Sequence, residues 1–563
     1  MVLTSRHPQA VPVWTVPVSQ SPNAAAPRRH GLRSAGTAAA VATLTALTSA
    51  CATGAVAAPA PATSMLPPVP PGPAASLSQE QVDHAVSSLD GLVTDAMDRT
   101  GVPGVAVAVV YRDQVVYSKG FGVREVGMPE LVDPDTVFQL ASVSKPLAST
   151  VVAGVVGQGV VEWDQPARQY DPSFALNDPY VTEHAAFADL LSHRSGLHTG
   201  AGDLLEDLGF DRDYILSHLD QQPLDPFRSS YNYSNFGYTA GAEAAAVAAG
   251  TAWEDLAEQV LFDPLGMTET SYRYEDFEAA ANKAVIHVPT GDGRWEARYT
   301  RDADAEAPAG GASSSVRDLA QWVRLQLGNG VYDGTQVIDP DALGITHVPH
   351  SVSSPPATPE ARTGFYGLGW NVSYDDRGRV QIGHSGAFNL GAATSVLMLP
   401  GEELGIVALT NGHPEGIPEA ITAGFFDIAN HGAPTVDWLT FTSGIFAQIE
   451  QADAPETDWT QPPAAPAPAR SLDAYAGTYA NPYYGPLTVA ADGAALTMSM
   501  GPPEQPTTFP LTHYAGDTFT FESIGENGNG LGGAIFTVDP AGTATSVRLD
   551  FYDQEGLGTF TRE

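Results

Sequence analysis

The stretch Phe138-Gln139-Leu140-Ala141-Ser142-Val143-Ser144-Lys145 sets a lysine three residues after a serine, beside an apolar run. At about 100° per residue, three helical steps leave Lys145 roughly 60° around from Ser142, one turn away on the same face. Ser144, the direct neighbour of Lys145, points elsewhere. A seryl hydroxyl is a poor nucleophile until a neighbouring base takes its proton. A lysine buried near the positive end of its helix has a lowered pKa and is able to act as that base. The amide of Ser142, at the same helix start, is placed to donate to a developing oxyanion. Serines are common, and an isolated S-x-x-K is most simply a surface helix with an incidental lysine. This chain, however, has only three lysines in 563 residues, Lys119, Lys145 and Lys283, so a lysine in this register is informative.

Two further strings carry chemistry. Tyr233-Ser234-Asn235 lies inside the segment 230–238. A tyrosyl oxygen near a lysine relays protons between nucleophile and leaving group, and an asparagine amide orients a substrate. Gly383-His384-Ser385-Gly386-Ala387 has the small residues that let a strand edge approach a ligand, and the Ala387 amide is a second oxyanion donor. Taken singly, the first reads as a tyrosine-rich turn and the second as a loop. His193 and His198 are five apart with no carboxylate or thiol pattern suited to zinc, and belong to a structural loop. Asp302, Asp304 and Glu306 lack the glycine and terminal glutamate of a calcium loop, so a solvated face is expected there. No metal site is expected.

Outward from these strings, order is expected from Ser78, which forms a capping-box pattern with Gln81. Apolar residues from Val82 to Met97 then recur at helical spacing. A β-hairpin follows, Val105–Val110 and Gln114–Tyr117 about the turn Arg112-Asp113. Much later, Ser395–Leu399 and Gly405–Thr410 read as strands separated by Pro400-Gly401, and 418–428 as an amphipathic helix. Strands and a helix at each end, with helices and long loops between, indicate an α+β domain whose two ends share one sheet, over 78–452. A Pro/Ala-rich linker occupies 453–470. Beyond it, 471–563 alternates short Val/Leu/Thr/Phe/Tyr runs with turn signals such as Asp492-Gly493, as an all-β barrel-like domain does.

At the N-terminus, Arg28, Arg29 and Arg33 precede a small-residue apolar run that ends at Cys51. This is the pattern of an export signal over 1–51, and Leu47-Thr48-Ser49-Ala50-Cys51 makes Cys51 a lipidation candidate. Residues 52–77, rich in Ala and Pro, read as a tether. The localisation expected is therefore extracytoplasmic, secreted or lipid-anchored, with membrane contact only through that anchor. Cys51 is the single cysteine, which excludes an intrachain disulfide and Cys–His catalysis in the folded part. A formal charge of −39 argues against nucleic-acid partners. The 43% hydrophobic content is ample for a packed core.

In the order S-x-x-K, Y-x-N, H-x-G, the three strings resemble the serine β-lactamase/penicillin-binding superfamily, and most closely its class C-like branch. Leu190-Leu191-Ser192-His193-Arg194-Ser195-Gly196-Leu197, Pro264-Leu265-Gly266-Met267, Tyr366-Gly367-Leu368-Gly369-Trp370 and Leu409-Thr410-Asn411 are similar to its strings as well. The resemblance implies an antiparallel sheet flanked by helices and an acyl-enzyme on Ser142. It gives proton transfer to Lys145 and Tyr233, and substrate contacts to Asn235, His384, Ser385 and Gly386. The amides of Ser142 and Ala387 would form the oxyanion hole, and no metal or organic cofactor is involved. Where class C β-lactamases typically carry a lysine that holds a substrate carboxylate, this chain has His384, mostly neutral at pH 7. Hydrolysis of a peptide or small-molecule amide or ester therefore ranks ahead of β-lactamase or D,D-carboxypeptidase action. A non-catalytic penicillin-recognising sensor is the reading of another class. The C-terminal domain resembles the lipocalin-like domains appended to some peptidases of this family, on the string Tyr475-Ala476-Gly477-Thr478-Tyr479 and Asn481-Pro482-Tyr483-Tyr484-Gly485.

Overall fold

A computed structural model describes residues 76–563 apart from 357, 453 and 456, so the export signal, Cys51 and nearly all of the 52–77 tether lie outside the described residues. Helix α1 (Gln79–Thr100) begins where the Ser78 hydroxyl accepts from the Gln81 amide at 3.2 Å and the Gln81 side chain accepts from the Ser78 amide at 3.0 Å. It ends at Gly101. The hairpin β1 (Gly104–Tyr111) and β2 (Gln114–Gly122) turns at Arg112 and Asp113, both with positive φ (49° and 60°). Such a two-residue turn matches the right-handed twist of its strands.

The remaining strands of this sheet are β3 (Ser351–Ser354), β4 (Gly364–Tyr366), β5 (Asn371–Tyr374), β6 (Val380–Phe388), β7 (Ala392–Leu399) and β8 (Leu404–Thr410). The spatial order is β2-β1-β8-β7-β6-β5-β4-β3, antiparallel throughout. Val105 lies opposite Thr410, so both ends of the domain meet in one sheet, as expected for an α+β domain. β1 is buried on both faces. Val105, Val107 and Val109 join the core that includes α1, while Ala106, Ala108 and Val110 face the larger core on the other side. Burial on both faces explains an unbroken apolar run in place of alternation.

Helices α2 (Ser144–Gly157), α3 (Asn235–Ala249) and α4 (Val316–Leu327) contribute to the larger core; α5 (Ile417–His431) packs with α1 on the other face, followed by α6 (Trp438–Ala452). β6 outruns its neighbour β5, which pairs with it only from Val380 to Gly383. From His384 to Phe388 no strand among the described residues pairs with that edge of β6, while β7 continues on its other side.

The C-terminal domain is a closed eight-stranded barrel: β9 (Gly477–Asn481), β10 (Gly485–Asp492), β11 (Ala495–Met500), β12 (Thr507–Ala515), β13 (Thr518–Glu522), β14 (Leu531–Val538), β15 (Ala544–Leu549) and β16 (Thr559–Arg562). Alternate residues such as Tyr479, Leu487, Met498, Phe509, Phe521, Phe536 and Phe560 are buried. Up-and-down connectivity puts the turns after β9, β11, β13 and β15 on one rim, and all four touch the larger domain. Tyr214 Oη donates to the Tyr483 carbonyl at 3.1 Å. Gly501 passes so close to Leu208 that a Cβ there would lie 2.8 Å from its carbonyl oxygen. Asp207 accepts from the amides of Glu526 (2.8 Å) and Asn527 (3.2 Å) and from the Asn527 side chain (2.9 Å). His198 Nδ1 bonds the Glu555 carboxylate. The barrel stands end-on against the segment 198–222.

Candidate active site

Ser142 lies in a 3₁₀ turn (Ala141–Val143) that runs directly into α2. The residue before it, Ala141, takes φ +46°, a left-handed conformation that costs a non-glycine residue about 1 kcal/mol or more. The turn is held from outside. Gln139 Nε2 donates to the Arg301 carbonyl at 2.6 Å, the Ser144 hydroxyl accepts from the Ala312 amide at 2.9 Å, and Tyr238 Oη donates to the Lys145 carbonyl at 2.6 Å.

Lys145 is wholly buried (0% exposed). Its Nζ lies 3.1 Å from Ser142 Oγ, 2.7 Å from Asn235 Oδ1 and 3.0 Å from the Ala309 carbonyl oxygen. The last two can only accept, whereas the hydroxyl can also donate. A neutral amine fits this environment: two N–H bonds go to Asn235 and Ala309, and the lone pair faces the Ser142 hydroxyl. Burial brings the Lys145 pKa down to about 8, against an opposing upward pull from Glu306 and Asp203. The ring of Tyr233 lies 4.5 Å from Nζ. Its phenol hydrogen-bonds to Ser142, yet burial, the larger effect, pushes its pKa well above the ordinary tyrosine value. Tyr233 therefore holds its proton tightly in the resting site. Ser234 caps α3 through its hydroxyl, which accepts from the Gly237 amide at 3.0 Å, and this brings Asn235 to the head of that helix.

Gly386 shows why this strand needs a small residue. A Cβ there would stand 2.1 Å from the Leu140 carbonyl oxygen and 3.0 Å from the Ser142 amide nitrogen. The free edge of β6 is thus pressed against the Ser142 turn, with Ala387 next along it and exposed. Ser385 is partly buried on the opposite side of the strand from Gly386.

His384, expected to contact substrate, is turned inward and is 5% exposed. One ring nitrogen bonds the Ser385 carbonyl at 2.7 Å, so it carries the proton, and the other accepts from Tyr366 Oη at 3.0 Å. Neither nitrogen is left for a ligand. Burial, reinforced by Lys145, lowers its pKa to about 3, so the ring is neutral.

Glu306 corrects the expectation of a solvated acidic face. It is 4% exposed and paired to Arg301 at 2.8 Å. Its neighbours Ala303, Ala307 and Ala309 are buried, and this turn of small residues carries the carboxylate inward, whereas Asp302 stays exposed. Arg301 also pairs with Glu206 at 2.7 Å, and Asp203 accepts from Asn235 Nδ2 at 3.4 Å. From the barrel, Glu526 accepts from the amides of Asn389 and Leu390, two and three residues beyond Ala387. Burial raises Asp203 and Glu306 to about 7, and Glu206 and Glu526 to about 8. His193, placed by sequence in a structural loop, is a packing residue of the site. Its ring lies tilted against Tyr233 with centroids 4.4 Å apart, and Nδ1 accepts from the Ser234 amide at 3.2 Å. Its surrounding string, Leu190 to Leu197, was the available signal; Glu206, Arg301 and Glu526 had none.

A serine and a buried amine on one turn, a tyrosine across from them and a strand edge alongside make up the site, and the β-lactamase family pattern matches residues 89–424. The chain belongs to the β-lactamase family. A second pattern, described as a domain of unknown function (DUF3471), matches residues 461–559, the barrel. Among relatives, the unguisins hydrolase ungD of Aspergillus violaceofuscus is 25% identical over 85% of this chain and 91% of its own length. Penicillin-binding protein 4 of Amycolatopsis lactamdurans is 28% identical over 55% of this chain and 81% of its own. The octameric penicillin-binding protein homologue from Pyrococcus abyssi shares the fold, with a TM-score of 0.54 at 19% identity, over 82% of this chain and 98% of that one.

Proposed function

We propose that the protein is an exported serine hydrolase that forms an acyl-enzyme on Ser142 and hydrolyses an amide or ester, either a D-amino-acid peptide or a carboxylic ester. One observation carries this reading: the buried Lys145 amine stands 3.1 Å from Ser142 Oγ, and its two other partners can only accept. Neutral Lys145 takes the hydroxyl proton as Oγ attacks the carbonyl carbon. The amides of Ser142 and Ala387 receive the oxyanion, and Asn235 orients the substrate amide. Tyr233 donates its phenolic proton to the leaving group and regains one from the Lys145 ammonium. Water then attacks the acyl-enzyme, with the protons retracing the same path, and acid is released. A phenol held so far above its ordinary pKa is a poor resident base, which favours Lys145 for the first proton transfer.

The relatives named as a hydrolase and a penicillin-binding protein support acyl-transfer chemistry on this fold. The inward, neutral His384 removes the cationic anchor that a β-lactam carboxylate would use, which ranks β-lactamase and D,D-carboxypeptidase action lower. The intact Ser142, Lys145 and Tyr233 count against a purely sensing role. The export part rests on the basic and apolar segment ending at Cys51. Incubation with a fluorophosphonate, followed by peptide mapping, tests the core of the proposal. An adduct on Ser142 that disappears in Ser142→Ala is expected; no adduct, with no turnover across nitrocefin, p-nitrophenyl esters and D-aminoacyl amides, refutes it.

A further inference from the structure

Tyr233 is fastened at three backbone points, and two of them lead to one residue. His193 follows the helical turn Phe187–Leu191, is 2% exposed, and takes φ +57°, a left-handed conformation in which histidine is among the commoner non-glycine residues. Its carbonyl oxygen accepts from the Asn232 amide at 2.9 Å, and its Nδ1 accepts from the Ser234 amide at 3.2 Å. The amides before and after Tyr233 are therefore both tied to His193, while the Tyr233 carbonyl accepts from the Gly200 amide at 3.3 Å. The imidazole also touches the Tyr233 ring, and the same ring lies 4.5 Å from Lys145 Nζ. Packing alone does not call for a histidine here. With Nδ1 accepting, the proton sits on Nε2, and that nitrogen is buried without a hydrogen-bond partner. An unpaired buried N–H is unfavourable, and a phenylalanine would fill the space among Tyr231, Tyr233, Tyr238 and Tyr366 without it. What the imidazole adds is the acceptor for the Ser234 amide. Burial, then the nearby Lys145 and His384, holds its pKa well below the ordinary histidine value, so the ring stays neutral and Nδ1 remains an acceptor.

We infer that His193 is the positioning residue of Tyr233: by clamping the amides on both sides of it, His193 holds the phenol where it protonates the leaving group. This rests on the hydrolase reading and adds to it the residue on which leaving-group protonation depends. When Ser142 Oγ bonds to an acyl or phosphonyl centre, the bond to the leaving group breaks and the leaving group takes the electron pair. Fluoride departs without a proton, whereas a phenoxide, whose conjugate acid has a pKa of about 10, is helped by one from Tyr233. A displaced phenol loses that help, while Lys145 still stands 3.1 Å from Ser142 Oγ. The role therefore predicts a loss that depends on the leaving group, which a general loosening of the site does not.

The rate of Ser142 labelling is measured on the full chain with two reagents that carry the same alkyl phosphonyl group, a fluorophosphonate and a phenyl phosphonate ester. The ratio of the phenyl to the fluoride rate is expected to fall by on the order of 10- to 100-fold in Tyr233→Phe and in His193→Phe. His193→Asn keeps an acceptor in the place of Nδ1 and tolerates a positive φ, so its ratio should stay within about threefold of wild type. Where circular dichroism shows that His193→Phe does not fold, His193→Ala takes its place. An unchanged ratio in Tyr233→Phe or in the folded His193→Phe or His193→Ala, a ratio lost equally in His193→Asn, or a wild-type chain that takes the fluoride reagent alone overturns the positioning role and leaves the hydrolase reading standing. Absence of any Ser142 adduct in the wild-type protein overturns both.

Discussion

Replacing Lys145 by arginine keeps a cation at the site and removes its ability to yield a proton. With a pKa of about 8, roughly 9% of Lys145 is the neutral amine at pH 7; at the ordinary lysine value of 10.5 the share would be about 0.03%. Burial therefore raises the available base about 300-fold. An arginine, with a pKa above 12, falls below even the unburied lysine by about two further orders of magnitude. General-base assistance contributes about 10²- to 10⁴-fold, so acylation in Lys145→Arg should drop by about 10²- to 10⁴-fold. The assay is the rate of fluorophosphonate adduct formation at Ser142, with circular dichroism and thermal melting to show that the variant folds. In the wild type the same rate should climb with pH and level off above about 8, as the amine is freed. A folded arginine variant that acylates within about tenfold of wild type, or a wild-type rate flat from pH 6 to 9, would refute the assignment of Lys145 as the base.

Gly386→Ala should lower acylation by 100-fold or so, because its Cβ collides with the Leu140 carbonyl 2.1 Å away and pushes β6 off the Ser142 turn; single-turnover kinetics read this. Asp207→Ala should cost about 2–4 kcal/mol in denaturant unfolding, since a buried carboxylate then no longer ties Glu526 and Asn527 to the hydrolase domain. Relative to the wild type, the melting temperature of Glu206→Gln should rise between pH 5 and pH 8. Asp203, Glu206, Glu306 and Glu526 have folded pKa values raised to about 7 or 8, so the folded state binds more protons than the unfolded one from about pH 4 upward, and that stability is lost as pH rises through 7 to 8. His384→Lys should not create nitrocefin turnover, because the side chain at 384 is turned inward against Tyr366 and Ser385.

What could be read in advance follows from the range of the interactions involved. The Ser142–Lys145 pair was legible because helical geometry acts over three residues and lysine is so scarce here. The shared sheet was legible from the unbroken Val105–Val110 run and its counterpart Gly405–Thr410, since a strand buried on both faces leaves that mark. The inward turn of His384 was hidden, because it depends on a hydroxyl 18 residues away, that of Tyr366. Glu306 was misread for a general reason. Clustered charges usually signal water, and only the pairing with Arg301 and the alanine turn reverse that expectation. Glu526 lies 319 residues beyond Asp207 in the chain, and no local pattern announces that they meet.

A barrel that meets its neighbour through the tips of turns on one rim separates two demands on a sequence. The staves can conserve their interior packing while the short loops at that end drift, and the pair Ser142–Lys145, carried by the other domain, is untouched by such drift. Exchanging the loop 523–530 between related chains then becomes a way to alter the surroundings of Asn389 and Leu390 with no change to Ser142, Lys145 or Tyr233.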